Sequence, residues 1–323
     1  MATGPRERLP ADDARKTYRY LRIGMIGAVV LLAASIAIER SKVDCWQTSI
    51  SAYYYTPVRA IFVGSMLAVG LALIVYKGRS RWEDACLNVA GMLAPVVAVA
   101  PTTDVGRCWS VAPSPLPLNA DGSLANWVVT NIDNNIYALL IAGAIAVAVV
   151  LIITSRERYR ASRSLADRPS ARSNPTVRRS VDGDTQWTIR SLVGTAGMLV
   201  IGWLLIRNWE DFNTRAHGFA ALVMFVFLIV AILFNVLDKK RKNETKGVVV
   251  YAGIAALMIA GGILISWTRV FDDHTVFALE TYEISFFAIY WIAQTVEKWH
   301  EEVVPPRASV GGQDRGSVDA AIQ

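Results

Sequence analysis

Eight stretches of this 323-residue chain are apolar over about the length a helix needs to cross a bilayer, and nothing else in the sequence constrains the fold as strongly. They cover residues 21–38, 58–76, 85–101, 135–153, 189–206, 216–237, 248–267 and 276–296. Within hydrocarbon every backbone N–H and C=O must be satisfied inside its own segment, so each stretch is expected to be helical. The expected fold is an all-α, polytopic transmembrane bundle of eight helices. Composition agrees, because 53% hydrophobic and 19% charged residues are too apolar a balance for a soluble domain of this length. The fifth span carries Arg190 at one end, where the guanidinium must snorkel toward headgroups.

The net charge of +6 and isoelectric point near 9.3 point to topology rather than to nucleic acid, because the basic residues flank apolar spans. With the N-terminus inside, the cytoplasmic segments hold 26 of the 33 Lys and Arg and the opposite side 7, alternating at every loop. Both termini are therefore expected in the cytoplasm, and the protein in a plasma or bacterial inner membrane. The expected layout is a tail over 1–20, helices one to three over 21–106, helices four and five over 107–206, helices six to eight over 207–299 and a disordered tail over 300–323. The Arg- and Ser-rich loop 154–190, with Pro169 and Pro175, has no periodic apolar face and is expected to be disordered near anionic headgroups.

Between membrane helices, close approach depends on small residues spaced by four. Gly64, Ala68 and Ala72, then Ala90, Ala94 and Ala98, then Ala142 and Ala146 offer such faces, and Pro95 should kink the third span and free the Gly91 carbonyl. Cys45 and Cys108 fall on the same non-cytoplasmic side, where an oxidising compartment would join them in a disulfide.

Polar groups are expensive in a membrane, so their placement is informative. Most gather at the outer ends of the spans: SISAYYYTPVRAIFVG over 49–64, APTTD ending at Asp104, RAH ending at His217, and ALETYE with Glu280 and Glu283. Ser49, Ser51, Tyr53, Asp104, His217, Glu280 and Glu283 are the candidate residues of one outward-facing polar pocket. These motifs resemble bacterial relatives of the Frag/DRAM-type multi-pass membrane proteins and, more remotely, the alkaline ceramidase and adiponectin-receptor superfamily. The resemblance covers spans one to three and six to eight, with residues 107–206 as an inserted hairpin, and departs at Ala60, where an acidic residue usually follows the arginine. It implies a zinc hydrolase only remotely: ceramidase-like enzymes hold zinc with several histidines, whereas this chain has His217, His274 and His300 and no HxxxH helix. A two-histidine site completed by Asp104 or Glu280 is the nearest approach to it. No metal or cofactor is expected.

The last span places Glu280, Glu283, Tyr290, Gln294 and Glu297 on one helical face, interrupted by Phe287. Such a stripe should face the bundle interior. There is no phosphate-binding glycine loop, dinucleotide fingerprint or paired CxxC. The leading expectation is a multi-pass protein that binds lipid or a membrane partner through its outer pocket, with protein partners unspecified. A lipid hydrolase of the ceramidase-like type and a transporter using the polar face of the last helix are the alternatives. The charge bias itself is testable: on a background lacking the native cysteines, Ser162→Cys and Ser173→Cys should resist an impermeant thiol reagent in intact cells. Ready labelling of either would reverse the orientation.

Overall fold

The computed structural model of the chain describes residues 10–106, 108–166, 175–297 and 299. Among these, eight α-helices follow one another: α1 Pro10–Lys42, α2 Arg59–Val75, α3 Arg81–Val99, α4 Asn126–Ala166, α5 Pro175–Asn208, α6 Phe212–Arg241, α7 Thr245–Thr268 and α8 Thr275–Glu297. Seven helical segments are long and apolar enough to cross a bilayer, while α2 is equally apolar but has 17 residues. A 3₁₀ turn, Ser51–Tyr55, precedes α2, and another, Asp272–His274, precedes α8. The helices carry large apolar side chains outward, such as Leu71, Ile141, Leu222 and Leu264. Water would penalise so much exposed apolar surface, whereas lipid does not.

Helices α1–α3 and α6–α8 share one core, built on Met25, Leu73, Leu87, Leu228, Tyr251 and Trp291. Helix α3 packs extensively on both α2 and α6, and α4 and α5 pair with each other beside this core. The α4–α5 pair does not separate α3 from α6. Its contact with the core runs through Val128, Ile132 and Ile136, which pack with Ala100, Phe212 and Ala216.

Helices α2 and α3 approach closely through their glycines. A β-carbon on Gly70 would stand 2.8 Å from the Gly91 carbonyl oxygen, and one on Gly91 would stand 2.6 Å from the Gly70 carbonyl oxygen. The carbonyl that Pro95 deprives of its helical donor thus lies against a glycine of the neighbouring helix. Helix α3 stays continuous through Pro95.

Several small-residue faces fall elsewhere than expected. Ala90, Ala94 and Ala98 are fully buried, and Ala72 is buried too, but Gly64 and Ala68 are exposed. Ala142 and Ala146 are also exposed, and α4 meets α5 instead at Gly143, where a β-carbon would strike Leu199. Small residues recur on more than one face of these helices, and only the bulk of the opposing side chains selects one. The basic segment 154–190, expected to be disordered, is helical wherever it is described: α4 runs to Ala166 and α5 starts at Pro175. Arg, Glu and Ala propagate a helix well, and Trp187 docks against Trp82 with ring centroids 5.5 Å apart. Residues 167–174, the first nine residues and the tail from residue 300, the last two expected to be tails, lie outside the described residues.

Gly70→Ala should push α2 away from α3, costing about 1–3 kcal/mol as overpacking does. Gly64→Ala, which meets open space, should be neutral. Thermal unfolding in detergent will compare them, and equal melting temperatures would contradict the crossing.

Candidate functional site

The two ends of the bundle are named here by what they hold: the disulfide end, and the basic end with its clusters of Lys and Arg. At the disulfide end, Cys45 and Cys108 are bridged, with Cα atoms 5.9 Å apart. The bridge ties the α1–α2 connection to the α3–α4 connection. Gln47 reinforces it, donating from Nε2 to the Cys108 carbonyl (2.5 Å) and accepting from the Cys108 N–H (3.3 Å). Gly106 allows this approach, because at φ +67 any β-carbon would fall 1.9 Å from Gln47 Oε1. Glu39 accepts from both the N–H and the hydroxyl of Ser110. Tyr55 donates to the Thr102 carbonyl (2.8 Å), and burial pushes its hydroxyl far above the usual range, which keeps it a neutral donor. Residues 45–55 therefore form a fixed cap over this end.

The cap's 3₁₀ turn aims its N-terminus at α8. Glu280 Oε2 accepts the N–H groups of Ile50 (2.6 Å) and Ser51 (3.2 Å), the arrangement a helix N-terminus favours for an anion. Ser51 Oγ lies 2.6 Å from Glu280 Oε1 and 2.7 Å from His217 Nε2. His217 Nδ1 lies 2.7 Å from the Ala100 carbonyl oxygen at the end of α3. One hydroxyl thus joins α6, α8 and the cap. His217 is 6% exposed and Ser51 5%.

The remaining candidates take other places. Ser49 Oγ accepts the Ala52 N–H (2.9 Å) and shapes the turn. Tyr53 is buried in an apolar cluster with Ile50, Val58 and Phe62. Asp104 stays exposed on the α3–α4 connection, where Oδ1 accepts the Gly106 N–H (3.1 Å). It is near enough to Glu280 for their charges to repel, yet it makes no hydrogen bond to the chain of His217, Ser51 and Glu280. A carboxylate at a wet turn has no reason to enter a site already holding another carboxylate. Of the expected pocket residues, His217, Ser51 and Glu280 thus form one hydrogen-bonded chain, from which Ser49, Tyr53 and Asp104 stand apart.

Glu283 lies one turn further along α8 and is 7% exposed, with Oε2 buried and unpartnered among the described residues. A β-carbon on Gly262 would stand 2.9 Å from Glu283 Oε1, so the glycine of α7 makes room for the carboxyl. Nearby, α1, α2, α6 and α8 line a small, partly open apolar cleft of about 40 Å³ bounded by Leu32, Ser65, Met66, Met224, Ile284 and Phe287, among others. Ser65 Oγ is buried there without a partner.

The rest of the α8 stripe meets a second network at the basic end. Tyr290 OH accepts from Asn235 (2.7 Å) and Gln294 (2.5 Å), and Tyr76 donates to Gln294 Oε1 (2.9 Å). Asn235 also donates to Glu83 Oε1 (2.7 Å). Glu297 pairs with Arg79 (2.8 Å), with Lys239 and with the Tyr251 hydroxyl. Arg79, Glu83, Asn235 and Lys239 were not among the expected site residues. Two signals marked them: Asn235 is the polar residue of an otherwise apolar stretch, and Ser80–Glu83 reads as a capping box. Half of the box is present at α3: Ser80 Oγ accepts the Glu83 N–H, while Glu83 Oε2 accepts the N–H of Arg79, one residue before the cap.

A ceramidase-like zinc does not fit these residues. Both His217 nitrogens are committed to Ala100 and Ser51, His274 is exposed and faces the Trp46 carbonyl, and the described residues hold no group of three potential ligands. Compared with family models, with curated proteins and with solved structures, the chain has no match in any of the three.

Asn235→Leu should strand Glu83 and Tyr290 and cost about 1.5–3 kcal/mol, the range for a lost hydrogen bond to a charged group. Ser285→Ala, at an exposed position of α8, should be neutral. Denaturation in detergent separates the two, and a stability unchanged in Asn235→Leu would contradict the network.

Proposed function

We propose that the protein is a membrane carrier held here in an occluded state. The observation that carries this reading is the arrangement along one bundle axis: two buried polar networks close opposite ends, and a small apolar cleft lies between them. The cleft sits about two helical turns from each network, since Met224 follows His217 by seven residues and Asn235 follows Leu228 by seven. At about 40 Å³ it is smaller than a small-molecule site, so a solute would enter only on opening, and its apolar walls with one hydroxyl suit a small, mainly apolar one. In this reading the chain of His217, Ser51 and Glu280 is one gate and the ion-paired cluster around Arg79 and Glu297 is the other. On this reading the charge bias supports an outer position for the first gate and a cytoplasmic one for the second, in a cell membrane.

A lipid or partner seated in an outer polar pocket is less well supported, because His217 and Ser51 are buried and already bonded to each other, and Ser51 to Glu280. A serine hydrolase is favoured by one distance, the 2.7 Å from Ser51 Oγ to His217 Nε2. The donors that would hold an oxyanion are already used: the N–H groups of Ile50 and Ser51 bind Glu280, and that of Ala52 binds Ser49. A fluorophosphonate that modified Ser51 would turn the assignment toward the hydrolase.

The carrier reading is tested at the cleft. With Cys86→Ser removing the one free thiol, Ser65→Cys should react with a small charged thiol reagent from the outside when Glu280→Gln weakens the outer gate. It should react from the inside when Arg79→Gln weakens the inner one. Protection from both sides in both variants contradicts a carrier.

A further inference from the structure

Hydrogen counting along the outer gate carries an inference that rests on the carrier reading and names its coupling ion. A carbonyl oxygen only accepts, so His217 Nδ1, 2.7 Å from the Ala100 oxygen, must bear a hydrogen. Glu280 Oε2 is already engaged by two backbone N–H groups. What remains is a line of three atoms, Nε2, Oγ and Oε1, with gaps of 2.7 and 2.6 Å. Each gap needs one hydrogen to be a hydrogen bond, and the serine hydroxyl supplies only one.

The second hydrogen can sit at either end. In one arrangement the imidazolium Nε2–H donates to Oγ and the hydroxyl donates to the Glu280 carboxylate. In the other the Glu280 carboxylic acid donates to Oγ and the hydroxyl donates to the bare Nε2 of neutral imidazole. Both hold the same number of protons and no net charge, which suits a site with little water. They interconvert when the Nε2–H and Oγ–H bonds break as new Oγ–H and Oε1–H bonds form. The result moves one proton from His217 to Glu280 and leaves Ser51 a hydroxyl throughout.

We propose that His217, Ser51 and Glu280 are a proton relay at the disulfide end. When the Nε2–Oγ contact opens, a proton from water binds the bare Nε2 of neutral His217, and Glu280 gives its acid proton to the Glu283 carboxylate. The shift from His217 through Ser51 to Glu280 then restores the starting arrangement, a net transfer of one proton from water to Glu283. Glu283 follows Glu280 by three residues, about 4.5 Å along the axis. It is buried, with Oε2 unpartnered among the described residues, so it has a free acceptor oxygen. Around the line, Asp104 acts on Glu280 by its charge without bonding to it, the Tyr53 hydroxyl is buried without a partner among the described residues, and the other groups named here are engaged elsewhere. Asp104 is at the exposed turn, Arg59 donates to Tyr54, Tyr55 donates to Thr102 and Arg40 pairs with Asp44. Glu39 holds Ser110, and Tyr282 donates to the Leu257 carbonyl.

The full-length protein, reconstituted in phosphatidylethanolamine–phosphatidylglycerol vesicles with a trapped pH dye, should take up protons when valinomycin sets an inward-driving potassium diffusion potential. Ser51→Ala should slow uptake about a hundredfold, as removing a proton-transferring group does. Ser51→Thr, which keeps the hydroxyl, should retain most of it, and Glu283→Gln should also block it. Infrared spectra give a second readout: a deuterium-sensitive carboxylic-acid carbonyl band should be present in the wild type, shift in Ser51→Ala and be lost in Glu280→Gln. Uptake in Ser51→Ala equal to wild type overturns the relay, as does the absence of a Glu280 acid band at every pH where the protein stays folded. Wild-type vesicles without proton uptake, in a protein whose Ser65→Cys is reachable from both faces, overturn the proton while leaving the carrier intact. Loss of both results removes both readings.

Discussion

A polar side chain inside a bilayer has to find its partner on another helix, and α8 sets a whole row of them on one face. Glu280 reaches the cap and, through Ser51, α6; Tyr290 and Gln294 reach α2 and α6; Glu297 reaches Arg79, α6 and α7. Helix α8 thereby ties most of the six-helix core together at two levels. Breaking one member of such a buried network leaves its partner unpaired, so each end should open as a unit rather than fray.

Between the two levels, Glu283 and Ser65 are exceptions. Their buried oxygens lack partners among the described residues, and the space near them is apolar. The cap adds a second asymmetry. The disulfide, Gln47 and Glu39 hold the α1–α2 and α3–α4 connections rigidly over one end, whereas the basic end is closed mainly by ion pairs among helix termini.

The helices were readable from the sequence because lipid imposes one dominant requirement, an apolar run of sufficient length. The pairing of Cys45 with Cys108 followed from the same alternation, since it placed both on one side. The stripe on α8 was visible as a face, but its partners were not. Ser51 was distinguishable from Ser49 only once the 3₁₀ turn sent one hydroxyl to Glu280 and the other to its own turn. Asp104 shared the outer level with Glu280 and was therefore grouped with it, yet an exposed turn left it in water. Glu83 and Lys239 lay at span ends, where charged residues are ordinary, and their burial depends on helix tilt and neighbours that no local pattern encodes. The faces of α2 and α4 failed for a related reason: a small residue marks where a helix can approach, not which helix does.

The central claim is that the two polar networks are alternate closures of one bundle rather than two permanent clasps. Spin labels on cysteines at Ala60 and Val276 report the disulfide end, and labels at Val75 and Val296 report the basic end, all at exposed positions. Double electron–electron resonance should give narrow distances for both pairs in a Cys86→Ser background. With Arg79→Gln added, the pair at the basic end should widen into a second population while the pair at the disulfide end stays narrow. Unchanged distances at both ends, in a variant that remains folded, would contradict the account.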